Sequence, residues 1–295
     1  MRYRSIILWG LFISIVLLGA LYIIHVIRGG PDRSILDFGR LTLIGRMILG
    51  LAALLLVLHA VWTLGIFRGT SFVALSFVIG LVFEIVGVNY GRVFGGHYFY
   101  NPTVHPRILN VPLLIPLIWA GFIYAGYCIV SSFSVWLNRK EPGTTQLRMV
   151  NKLSFAALSA LVVLAIDLFM DPLQVEAGNW KWLNGGHYFH IPVGNFLGWF
   201  LVAFVSVVIF MILQDYLPLT TEEIDRHVLL IPMLGYGLLC IIFAFWALRI
   251  DMSLLAVIGI VAMSPTVVVN LGLYLRWRTP PGQQALNRAD QNDVL

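Results

Sequence analysis

The sequence predicts an all-α fold, a polytopic bundle of about eight transmembrane helices, and two observations predict it. Of 295 residues, 59% are hydrophobic and only 11% are charged, against about a quarter charged in ordinary soluble domains. Several apolar runs also reach the roughly 20 residues that a helix needs to cross a bilayer.

The runs follow in order. The first, 5–27, comes after the basic Arg2 and Arg4, as the core of a signal peptide would. It continues to Ile27 without a clear small-residue cleavage site, so it reads as a retained helix. The second, 41–67, is long enough to tilt or to extend beyond the hydrocarbon. Further spans are expected at 70–88, 112–137, 153–173, 191–213, 228–248 and 251–275, the last two joined by a very tight turn at Leu248, Arg249, Ile250 and Asp251. Residues 1–278 then make a single transmembrane domain. The polar tail, 279–295, opens with Pro280, Pro281 and Gly282 and is expected to be disordered.

Basic residues orient such a chain. Arg139, Lys140, Arg148 and Lys152 follow span four, and Arg276, Arg278 and Arg288 lie at the C-terminal end. With eight spans these share the side of Arg2 and Arg4, so both termini are expected in the cytoplasm and the protein in the inner membrane. The net charge of +5 is read in the same way. No basic cluster interleaved with polar aromatics suggests nucleic acid as a partner; the lipid bilayer is the expected surroundings. Cys128 and Cys240 both lie in apolar runs and read as small hydrophobes. The chain contains no phosphate-binding loop, dinucleotide fingerprint, nucleophile elbow or zinc-protease motif. Nucleotide-driven and hydride chemistry lose their usual supports, and no cofactor is expected.

Two connections stand out, 89–111 and 174–190, both rich in Gly, Pro and aromatics and both on one side of the bundle. Residues 95–99 and 185–189 each read GGHYF. Each copy is followed by an apolar-Pro pair, Val111-Pro112 or Ile191-Pro192, and by Trp119 or Trp199 seven residues after the proline. The pattern is expected of an internal parallel repeat, spans three and four matching five and six, with a site between the copies.

Upstream of each copy a span ends in carboxylates: Glu84 in one, Asp167 and Asp171 in the other. The two aspartates are four apart and share a helix face. Ionisable groups inside a span cost several kcal/mol and default to function; the bland alternative is pairing with Arg46, Arg92, Arg107 or Lys181. His97 and His187 hold equivalent places in the copies. They invite a metal, but membrane di-iron enzymes need larger sets of closely spaced histidines. Hydrogen-bonding partners of the carboxylates is the preferred reading, with no metal. Asn195 can bind water or a carboxylate. Tyr98, Tyr188, Trp119, Trp180, Trp182 and Trp199 are candidate substrate-binding residues. Part of this density is an interfacial aromatic belt; the sharper reading is a pocket whose ring faces stabilise a developing cation.

The stretches FEIVGVNYGRVFGGHYFYNPTVHPRILNVPLLIPLIW and DLFMDPLQVEAGNWKWLNGGHYFHIPVGNFLGW resemble the membrane-bound carotenoid biosynthesis family, which includes carotenoid 1,2-hydratases and bisanhydrobacterioruberin hydratases. The resemblance covers roughly 40–275. It is strongest at E-x-x-G (Glu84, Gly87), D-x-x-x-D-P (Asp167, Asp171, Pro172) and W-x-W (Trp180, Trp182). It implies addition of water to the terminal C1=C2 alkene of an acyclic carotenoid end of the γ-carotene or lycopene type. That reaction needs a proton for C2, a tertiary cation at C1 and a water, and no redox cofactor. Glu84 or Asp167 suits the acid, and a second carboxylate, His97 or His187 suits the base. The partners implied are the carotenoid, water and other enzymes of the pathway. Two alternatives stay open: an end-group cyclase or prenyl-modifying enzyme with the same acid and no water, and a non-enzymatic lipophile transporter or binding protein.

Overall fold

The computed structural model describes residues 2–28, 38–138, 149–218 and 225–278. Eight helices in it are long and apolar enough to cross a membrane: α1 (Arg2–Ile27), α2 (Leu43–Leu64), α3 (Ile66–Tyr90), α4 (Leu114–Asn138), α5 (Met149–Glu176), α6 (Val193–Leu213), α7 (Leu230–Arg249) and α8 (Ser253–Arg278). The tail 279–295 and the basic residues Arg139, Lys140, Arg148 and Arg288 lie outside the described residues.

The second and third spans divide earlier than the apolar pattern suggests. Gly65, at φ 87°, breaks the run, so α2 ends at Leu64 and α3 begins at Ile66. That φ is open to glycine and strained for other residues. The fifth span is longer than expected, because α5 runs through Pro172 to Glu176 rather than stopping beside it. A proline within a helix withholds the N–H that the carbonyl four residues earlier would receive. Here that carbonyl is Leu168, and the Tyr188 hydroxyl donates to it at 2.7 Å. A side chain from the following loop thus fills the gap in the helix.

α4 is the central element, packed against α2, α3, α5, α6, α7 and α8. α4 and α5 are the most buried helices and α1 the least. Lys152 is not a loop marker: it is buried at the start of α5, paired with Asp215 and donating to the Met211 carbonyl at 2.9 Å. At that same end Trp136 Nε1 donates to Asn270 Oδ1 at 2.9 Å.

At the opposite end the two long connections meet. β1 (Tyr98–Tyr100) pairs antiparallel with β4 (Trp180–Trp182), setting Tyr98 against Trp182 and Tyr100 against Trp180. Strand side chains alternate between faces. Tyr98, Tyr100, Trp180 and Trp182 therefore turn inward and are buried, while Phe99 and Lys181 face out. A second short ribbon, β2 (Arg107–Ile108) with β3 (Val111–Pro112), leads into α4. The two GGHYF copies differ locally. The first runs into β1, whereas the second makes a tight turn closed by Tyr188 and Ile191.

Candidate functional site

Glu84 sits in α3 about 9 Å before the helix ends, at 1.5 Å per residue. It is buried, and among the described residues its hydrogen-bond partners are all uncharged. Its carboxyl group accepts from the Tyr98 hydroxyl at 2.5 Å and the Tyr100 hydroxyl at 2.6 Å, both on Oε2, and from Trp119 Nε1 at 2.8 Å on Oε1. Two tyrosines reach one oxygen because they are alternate residues of β1. Burial, then the adjacent Glu84 charge, hold both phenols well above the ordinary tyrosine range, so they remain donors.

The E-x-x-G spacing has a direct steric reason. A Cβ on Gly87 would lie 2.6 Å from Phe94 Cδ2 and 2.7 Å from the Tyr98 hydroxyl. Only the bare backbone lets the loop fold down one turn beyond Glu84 and place Tyr98 on it. Gly80, one turn before, does the same for Trp119, whose Cβ would be 2.8 Å from an added methyl.

On α5, Asp167 and Asp171 are both buried and share one face. Asn195, two residues into α6, donates through Nδ2 to Asp167 Oδ2 at 3.0 Å and to Asp171 Oδ2 at 2.7 Å. Asn195 is thus the donor that the two carboxyl groups share, each through its Oδ2. Asp167 Oδ1 is buried and receives no donor among the described residues.

Glu84 and Asp171 face one cavity of about 20 Å³, which Tyr98, Tyr100, Trp119, Trp180, Trp182, Asn195 and Trp199 help to line. A cavity needs about 10–15 Å³ of such space to hold one water. This one has room for a single water and little more. Its walls are ring faces: Trp119 and Trp199 lie 4.0 Å apart between centroids, and Tyr98 and Trp182 lie 5.4 Å apart.

The structure thus brings together Glu84, Asp171, Asp167, Asn195, Tyr98, Trp119, Trp180, Trp182 and Trp199. It leaves three sequence candidates outside. His97 and His187 are exposed at the surface, and Tyr188 is taken up by the Leu168 carbonyl. Among the described residues no group of three or more His, Cys, Asp or Glu is placed to hold a metal. Arg107 donates to the backbone carbonyls of Val104 and Asn101, and Arg46 to that of Leu41. Tyr100 was missed as a site residue. Its signal was the alternation Tyr-Phe-Tyr, which sets the first and third rings on one face of a strand.

Fold and site define a multi-pass membrane protein with an enclosed, aromatic-walled carboxyl site under a two-stranded cover. The chain belongs to the carotenoid biosynthesis protein family, which matches residues 44–266. It is similar to bisanhydrobacterioruberin hydratase of Haloarcula japonica, at 27% identity over 143 residues, covering 48% of this chain and 44% of that protein. The match thus spans less than half of that relative's length. No solved structure matches the chain.

Proposed function

We propose that the protein is a carotenoid-modifying enzyme, a cofactor-independent hydratase that adds water to the terminal C1=C2 alkene of an acyclic carotenoid end. The carrying observation is the water-sized cavity between Glu84 and Asp171, walled by aromatic faces. The family and the hydratase relative support the same reading.

The Asp167–Asp171 pair, held by Asn195, supplies the proton to C2. The π electrons form the new C–H bond and leave a tertiary cation at C1, which the faces of Trp119, Trp199 and Trp182 stabilise. The water in the cavity attacks C1. Glu84, whose three partners are all donors, takes the proton that water releases. Proton exchange through the next water to enter returns the pair to its starting state. The net change is alkene plus water to tertiary alcohol, with no electron gained or lost.

Expression in a lycopene- or γ-carotene-producing bacterium, with pigments analysed by mass spectrometry, tests this. Hydration adds one water per reacted end. A cyclised product keeps the parent mass and would replace this reading with the cyclase. Unaltered pigment alongside stably inserted protein rejects hydration of those substrates.

A further inference from the structure

Beside the carboxyl cavity lies a second and much larger space, an apolar channel of about 400 Å³ bounded by α1, α2, α4, α5 and α7. Its volume falls within the roughly 300–1,000 Å³ of small-molecule sites. Along α4 it extends from Leu114 to Ala125, about 16 Å of depth at 1.5 Å per residue. It therefore runs from the covered end of the bundle toward its middle. Two side chains, Ile118 and Met170, line both the channel and the cavity. The wall between the two spaces is one residue thick on each side.

The channel is open because glycine stands where a side chain would fill it. A Cβ on Gly121 of α4 would meet nothing within 4 Å, and one on Gly235 of α7 only Phe12 Cε2 at 3.9 Å. Both glycines line the channel. The space is thus a feature of packing between helices that lack side chains at the contact, on two separate elements.

We propose that this channel binds the chain of the substrate, an elongated isoprenoid hydrocarbon, and that Ile118 and Met170 form the threshold at which its end group meets the water-sized carboxyl cavity. The proposal rests on the hydratase reading for the identity of the occupant. Three features select that occupant. The walls are almost wholly apolar, the long dimension follows the helices, and the inner wall is shared with the site where the end of the chain reacts. A membrane phospholipid is the competing occupant. It would fill the channel without any need for the shared wall.

The test uses the purified full-length protein in lipid nanodiscs, with Gly121→Phe, Gly235→Phe and the milder Gly121→Leu. Gly50→Phe is the control, because Gly50 is exposed on α2, outside the channel, and its Cβ would also meet nothing within 4 Å. Lycopene retained through purification is measured by visible absorbance. Hydration of 2-methylhept-2-ene, which carries the reacting end without the long chain, is measured by mass spectrometry. The channel variants are expected to lose at least tenfold in lycopene retention while hydrating the short alkene within twofold of wild type, and Gly50→Phe to keep both. Wild-type lycopene retention in the Gly121 and Gly235 variants overturns the proposal. So does a phospholipid in the wild-type channel that excess lycopene does not displace but the glycine variants exclude. If wild type hydrates neither compound, the hydratase reading fails, and lycopene retention still decides the channel.

Discussion

Tyr188 donates its hydroxyl to the Leu168 carbonyl at 2.7 Å, the one carbonyl of α5 that Pro172 leaves without its helical N–H. The partner tyrosine of the other GGHYF copy, Tyr98, sends its hydroxyl to Glu84 instead. One pentapeptide thus serves a backbone repair in one copy and a carboxyl site in the other. Tyr188→Phe should lower stability by about 1 kcal/mol, the usual worth of one such bond, with activity nearly unchanged. Pro172→Ala restores the missing N–H, so Tyr188→Phe should cost little in that background. Thermal unfolding in detergent across the four-variant cycle measures this. An equal loss in both backgrounds would show that Tyr188 acts through something other than Leu168.

The carboxyl groups are expected to separate by role. Glu84→Gln keeps the shape and the contact with Trp119 but cannot accept the proton of the attacking water. Turnover should fall by at least about 100-fold, the lower range for losing an acid–base group, in protein that still inserts and unfolds cooperatively. Asp171→Asn should lose as much, since it removes the carboxyl group that lines the cavity and would deliver the proton. Tyr100→Phe and Tyr98→Phe should each lose less than Glu84→Gln, because one tyrosine and Trp119 still hold Glu84. Pigment analysis against immunoblotted protein gives the ratio, and wild-type turnover in Glu84→Gln would remove Glu84 from the reaction.

Much of the bundle was legible because bilayer-length apolar runs permit little besides helices. The boundaries that shifted did so at single residues: Gly65 split a continuous apolar run, and Tyr188 let α5 continue through Pro172. The carboxylates were legible for the same reason, as charges standing where charge is costly. Their partners were not. Nothing local says that Tyr100 reaches back to Glu84 or that W-x-W pairs with Y-F-Y, because both depend on a turn of two loops distant in sequence. The histidines stand out by residue type and by their equivalent places in the two copies, and neither reveals which way a loop side chain faces.

His97 and His187 provide a direct contrast with the carboxylates. Both are exposed, and neither contributes to the cavity wall. His97→Ala and His187→Ala should leave turnover within twofold and stability within about 0.5 kcal/mol, as surface changes commonly do. A loss approaching that of Glu84→Gln in either variant would restore the histidines to the mechanism.

The side of the membrane that holds the site decides where its water comes from. Placing both termini in the cytoplasm puts the β1–β4 cover on the outer face. Lys181 stands exposed on that cover, and Tyr216, 82% exposed, lies just beyond α6 at the opposite end. The native Cys128 and Cys240 are buried, so an introduced cysteine reports with little background. A membrane-impermeant maleimide applied to intact cells, with the outer membrane permeabilised where one is present, should label Lys181→Cys at once and Tyr216→Cys only after lysis. The reverse pattern would turn the protein over, with the carboxyl cavity drawing its water from the cytoplasm. Labelling of both positions before lysis would mean that the eight helices do not all cross.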